Sequence, residues 1–159
     1  MRAVLAILLI VLPNSAFAAE RETGWLIAFY RDTFTQNIFP TAFVQEANKS
    51  FGKSSMFITC RDGNLVAGLT FANDFLITEN VRNVDFRLGD ESMTFALNIE
   101  DTGTLGKQFI LAGPDMAKFS EKAGWIDTVA FRYQDKSGLF PMIGAAEVLE
   151  YMRTHCATD

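Results

Sequence analysis

From residue 24 onward the chain is divided into short runs rich in aromatic and β-branched residues, several of them alternating between apolar and polar side chains. Residues 24–31 carry Trp25, Ile27 and Phe29 on one phase, and residues 38–46 carry Phe39, Ala42, Phe43 and Val44. Alternation with period two places one set of side chains on one face of a strand, so both runs predict strands. Pro40 lies inside the second run and cannot donate a ladder hydrogen bond, which predicts an edge position for it. Residues 55–60 and 64–71 flank Asp62-Gly63, and two β-prone runs separated by Asp-Gly predict a hairpin. Further strands are predicted at 75–78, 81–88, 93–100 and 107–111, punctuated by Asn73-Asp74, Gly89-Asp90-Glu91-Ser92 and Asp101-Thr102-Gly103.

The period changes only late in the chain. Met116, Phe119 and Ala123 fall at i, i+3 and i+7 behind Pro114 and ahead of Gly124, predicting a short amphipathic helix. Alternation returns over 125–133 with Trp125, Val129, Phe131 and Tyr133 on one phase. From Met142 to His155 the spacing is again helical, and Ala145, Leu149, Met152 and Cys156 share one face. Many short strands followed by a terminal helix predict a mainly β fold with α elements: an antiparallel β-sandwich or bent sheet, with a short helix and a C-terminal helix docked on it.

Ahead of the first strand the pattern is of another kind. Met1-Arg2, an apolar run from Ala3 to Leu12, Pro13-Asn14-Ser15 and Ala16-Phe17-Ala18 follow the order of a secretory signal peptide, with cleavage expected after Ala18. A membrane span needs about 20 apolar residues, which this run does not reach. The expected organisation is therefore a signal peptide at 1–18 and a single disulfide-clasped β-rich domain at 19–159, periplasmic or secreted, with no membrane span. Composition agrees once the leader is set aside. The 159 residues are 49% hydrophobic, but without the leader the proportion is about 45%, ordinary for one globular domain. A domain of this size has one core and no room for a separate catalytic lobe.

Removing Arg2 leaves 13 of the 14 basic side chains against 19 acidic ones, so the net charge of −5 becomes −6. Nucleic acid and anionic lipid both reward Lys/Arg density, so neither is an expected partner; any electrostatic steering favours a cationic one. Cys60 and Cys156 form an even pair in an oxidising compartment, which favours a structural disulfide over a redox-active CxxC arrangement.

Candidate chemistry is sparse. His155 is the one histidine, and with both cysteines committed to a bridge it has no thiolate to activate and no second ligand with which to hold zinc. No G-x-S-x-G elbow or Gly-rich phosphate cradle is present. Asp85, Asp90, Glu91, Glu100 and Asp101 lack calcium-loop spacing and read as turn and surface carboxylates. No catalytic residue, metal or cofactor is expected, and Asn48-Lys49-Ser50 reads as a chance glycosylation triplet. The aromatics, mostly phenylalanine, read chiefly as core.

The order of features from Trp25 through the strand closing at Cys60, the segment Asp85-Phe86-Arg87-Leu88-Gly89-Asp90, the short helix, Val129-Ala130-Phe131-Arg132 and the helix ending in Cys156 resembles the exported VasI/TagO-like proteins associated with bacterial type VI secretion. Gly89 stands where that family more often carries a second acidic residue. The resemblance implies a non-enzymatic periplasmic accessory β-domain and carries over no catalytic residue. The first reading is an exported accessory or binding protein that recognises a protein of the cell envelope; small size, export, acidity and the lack of catalytic machinery give an alternative, an inhibitor or immunity-type protein acting on a cationic envelope hydrolase, and an enzyme using Asp or Glu pairs is the third class. The candidate binding loop is Asp135, Lys136, Ser137 and Gly138, a polar stretch between ordered elements.

Overall fold

The computed structural model describes residues 19–20, 24–31, 38–47, 54–71, 80–101, 107–134 and 136–156. The signal peptide expected at 1–18, the strand expected at 75–78, the Asn48 triplet and Asp135 lie outside these residues. Along the chain come β1 (Ala19–Glu20), β2 (Leu26–Arg31), β3 (Ile38–Gln45), β4 (Ser55–Arg61), β5 (Asn64–Thr70), β6 (Val81–Leu88), β7 (Glu91–Asp101) and β8 (Lys107–Leu111). They are followed by α1 (Gly113–Ala123), β9 (Thr128–Tyr133), β10 (Lys136–Pro141) and α2 (Ala145–Cys156). The strands form one antiparallel sheet in the order β1-β2-β3-β4-β5-β8-β7-β6-β9-β10. It curls back on itself: Ala47, just past β3, donates its N–H to the Leu139 carbonyl of β10 at 2.9 Å. Of the two architectures anticipated, the bent sheet is the one formed, a half-barrel with two helices.

Turn chemistry sets the registers. Asp62 and Gly63 both have positive φ, 49° and 71°, and join Arg61 to its partner Asn64; this is the two-residue geometry for which Asp-Gly is suited. Gly89, at φ 63°, leads the Gly89-Asp90 turn between Leu88 and Glu91. Glu91 and Ser92, expected in that turn, already belong to β7.

The expectation of an edge position for residues 38–46 is corrected, because β3 lies between β2 and β4. Its ladder with β4 begins at Thr41, opposite Thr59, one residue past Pro40. The Pro40 carbonyl accepts a hydrogen bond from the Thr59 hydroxyl at 3.2 Å. Carbonyl and nitrogen of one strand residue point to the same side, so the missing N–H falls beyond the end of the β4 ladder and costs it no bond. Residues 125–127 are also not strand; β9 begins at Thr128, and Trp125 is 88% exposed rather than in phase with the buried Val129, Phe131 and Tyr133.

The concave face carries the main core. Met56 and Ile58 of β4, Ala67 and Leu69 of β5 and Phe109 of β8 meet Met116, Phe119 and Ala123 of α1 and Ala145, Val148, Leu149 and Met152 of α2. The helical faces anticipated from spacing are thus the buried ones, with Val148 added. Asp115 in the first turn and Lys122 in the last complement the dipole of α1. Cys156, the last residue of α2, is bridged to Cys60 near the end of β4, with Cα atoms 5.4 Å apart across a separation of 96 positions. Trp25 is completely buried, and its indole N–H has no hydrogen-bond partner among the described residues.

Candidate binding surface

On the opposite face of the sheet, a second cluster of Phe57, Val66 and Ile110, with Phe43 packed against it, contains no helical residue. From it an aromatic strip runs toward β2. Phe43 lies 6.4 Å from Phe57 and 6.2 Å from Tyr30, and Tyr30 is stacked on Phe39 at 6.1 Å, ring centre to ring centre. The β2–β3 register creates this strip by pairing Tyr30 with Phe39 and Leu26 with Phe43. Tyr30 remains 43% exposed and Leu26 39%. Tyr30, Leu26 and Phe43 also line a groove of about 510 Å³ that extends to Glu46, Ser55 and Pro141. Rigid aromatics with apolar bodies and one hydroxyl tip supply contact area at low entropic cost, which suits recognition of another protein.

The segment expected as a binding loop has a different structure. Lys136, Ser137 and Gly138 open β10, paired with Tyr133, Arg132 and Phe131. Because Lys136, Ser137 and Gly138 lie in a strand, their side chains obey strand alternation instead of clustering at a loop tip. The Lys136 ammonium sits 5.7 Å from the centre of the Phe71 ring, Ser137 is exposed, and Gly138 provides the space for the buried Glu46. A β-carbon at Gly138 would meet the Glu46 carboxylate, with its Cδ at 2.6 Å, and Phe131 Cε1 at 2.6 Å. Glu46 Oε2 accepts the Ser54 N–H at 3.3 Å. Nothing in the spacing of the chain announced a buried carboxylate at 46.

The remaining sequence candidates are separated by the fold. Cys60 and Cys156 are bonded to each other, leaving no thiolate. His155 Nδ1 donates to the Tyr151 carbonyl at 2.8 Å on the exposed side of α2. Glu91 pairs with Lys122 at 2.5 Å and Glu100 with Arg61. Asp85 accepts from the Thr94 hydroxyl at 2.7 Å and from Arg132 at 3.0 Å. These two partners, the Thr94 hydrogen bond first, hold its carboxyl below the ordinary value of 3.8. Asp85, Glu91 and Glu100 are therefore taken up as cross-strand and helix–strand partners. Among the described residues no group of three or more His, Cys, Asp or Glu could hold a metal ion, and no helix is long and apolar enough to cross a membrane.

Comparison with protein-family models and with curated proteins gives no match. Among solved structures the chain is similar to invasion associated protein b from Bartonella henselae, with a TM-score of 0.60 over 85% of this chain and 94% of that one at 10% sequence identity. At that identity the likeness is one of fold. The fold match thus leads to a protein of another name than the type VI secretion-associated family that the order of residues resembles.

Proposed function

We propose that the chain is an exported, non-enzymatic accessory protein, periplasmic or secreted, that recognises a protein of the cell envelope through the aromatic strip of β2 and β3. The observation that carries this reading is the strip itself: Tyr30, Phe39, Phe43 and Leu26 form a contiguous, partly exposed apolar surface on a face that the helices leave uncovered. Contiguous apolar surface of this kind marks interaction sites on soluble domains. Export is supported by the order of the first 18 residues, and cleavage after Ala18 would leave β1 intact at the head of a single clasped domain. The fold shared with an invasion-associated protein and the residue order shared with secretion-associated proteins both support an envelope setting. The β9–β10 hairpin around Ser137 is the second surface assigned to the contact.

The test is photo-crosslinking in cells, with a photoreactive phenylalanine at position 30 and, separately, at position 137. One discrete protein adduct from position 30, lost in a Phe39→Ser/Phe43→Ser variant that still folds, is the expected result. Irradiation that gives no protein adduct from position 30 overturns the assignment of the strip, and the yield from position 137 decides whether the hairpin belongs to the same contact.

A further inference from the structure

A second surface shares no residue with the aromatic strip. Trp125 is 88% exposed and Ile143 59% exposed, yet the backbone beneath them is fixed. Trp125 donates its N–H to the Lys122 carbonyl at 3.0 Å, closing α1, and Met142 donates to the Asp127 carbonyl at 2.7 Å. At Gly124 a β-carbon would stand 3.6 Å from Ala146 in the first turn of α2. The turn bearing Trp125 and the turn bearing Ile143 are therefore bonded and packed together. A large ring presented to solvent from rigid backbone resembles the anchor side chains that dominate protein interfaces.

The rim of this corner is acidic. Asp127 follows Trp125 by two residues, Glu147 follows Ala146, and Asp90 sits beside Gly89, where a β-carbon would lie 3.5 Å from Ile126. Asp90, Asp127 and Glu147 are all exposed. Of the basic side chains beside them, Lys122 is taken up by Glu91, and Arg87 is turned onto the Gly89 carbonyl, to which its Nε–H donates at 3.2 Å. Anionic lipid, which rewards basic side chains, is a poor match for such a rim.

We propose that Trp125 and Ile143 are the apolar centre of a docking site whose partner is a protein surface of basic side chains surrounding an apolar residue. The apolar centre supplies contact area, and the acidic rim supplies orientation and faster encounter with a cationic partner. This site is independent of the assignment of the aromatic strip to an envelope contact.

The test uses a fluorescent peptide alternating arginine and leucine, with glutamate–leucine and arginine–serine peptides as controls, titrated by anisotropy against the intact disulfide-bonded protein. The arginine–leucine peptide is expected to bind, and the controls to bind at least about tenfold more weakly. Trp125→Ala should weaken binding about tenfold, Trp125→Tyr should restore most of it, and Asp127→Asn/Glu147→Gln should flatten its dependence on salt. Trp125 is solvent-exposed, so circular dichroism of Trp125→Ala should match the parent. No binding at millimolar peptide, equal binding of the glutamate–leucine peptide, or unchanged binding by Trp125→Ala overturns the proposal. It is equally overturned if Trp125→Ala abolishes self-association in sedimentation, which makes the occupant a second copy. Loss of binding to phosphatidylglycerol vesicles in that variant makes the occupant a membrane, with the same consequence.

Discussion

Breaking the Cys60–Cys156 bridge tests whether it clasps the whole domain or merely ties down one helix. The cysteines are 96 positions apart, and in the chain-entropy account closing a loop of that size in the unfolded chain is worth about 4 to 5 kcal/mol, of which real bridges typically deliver about 2–4. The loop contains everything from the β4–β5 hairpin to α2, so the constraint acts on nearly the whole unfolded ensemble. In the native state its removal strands little, because α2 still buries Ala145, Val148, Leu149 and Met152 against the sheet. Urea unfolding followed by fluorescence suits the measurement: Trp25 moves from complete burial to solvent, while Trp125 is exposed at the outset. With a slope of about 2 kcal/mol/M, a loss of about 3 kcal/mol lowers the midpoint by about 1.5 M. The slope itself should rise, since an unclasped unfolded chain exposes more surface. Reduction by dithiothreitol and a Cys60→Ala/Cys156→Ala variant should agree. A midpoint unchanged by reduction refutes the clasp. Hydrogen exchange that shows only α2 deprotected, with the sheet as before, refutes the entropic argument in favour of local docking.

Three further perturbations follow from particular contacts. Gly68→Ala places a β-carbon 2.7 Å from Phe57 Cε1 and 2.8 Å from the Phe109 carbonyl; a backbone atom cannot step aside, so a loss of about 2–3 kcal/mol is expected in urea unfolding, with part of it recovered in Gly68→Ala/Phe57→Leu. Gly138→Ala displaces the Glu46 carboxylate from its bond to the Ser54 N–H and should lower stability by about 1–3 kcal/mol; a parent-like melt would show that Glu46 has another way to turn. Asp85 has a depressed folded-state pKa, so its contribution to stability is present above the unfolded value of about 3.9 and is lost as pH falls through the lower folded one. Carboxyl carbon NMR should therefore place its midpoint below 3.8, and Arg132→Ala should raise it; a parent midpoint at or above 3.8 contradicts the assignment.

Much of the interior could be read from the chain because its determinants are local. The Asp62-Gly63 turn, the β-prone runs of β4 and β5 on either side of it, and the faces of α1 and α2 each depend on neighbours within a few positions, and all formed as the chain predicts. The failures came where distant residues decide. Pro40 signalled an edge because its missing N–H was assumed to face a neighbour, whereas the β3–β4 ladder starts one residue later. Residues 136–138 looked like a polar loop because Lys, Ser and Gly are poor strand formers; β9 pairs with them regardless, and Gly138 is small because Glu46 needs the room. Trp125 matched the phase of β9 in sequence but stands outside the strand. The two cysteines were informative because an even pair in a chain read as exported has few alternatives. Neither the aromatic strip nor the Trp125 corner was located by sequence, since exposure of an aromatic depends on what the fold leaves uncovered.

The same division explains how a fold can be shared at 10% identity. Along β4 the inward residues Met56 and Ile58 must fit two helices and the outward residues Phe57 and Thr59 need only suit their cross-strand neighbours; the Thr59 hydroxyl meets that of Thr41 at 2.8 Å. Inward positions therefore tolerate exchange among apolar residues of similar volume, and the sheet survives many such exchanges. Exposed outward and corner positions are held by no such requirement, so they are free to diverge without loss of the fold. Tyr30 and Trp125 occupy positions of this freer kind. Replacing either should leave the unfolding midpoint within about 0.5 kcal/mol of the parent, as for surface changes generally, while changing binding. If instead Trp125→Ala cost several kcal/mol, the ring would be a structural element of the α1–β9 turn, and the docking role built on its exposure would lose its physical basis.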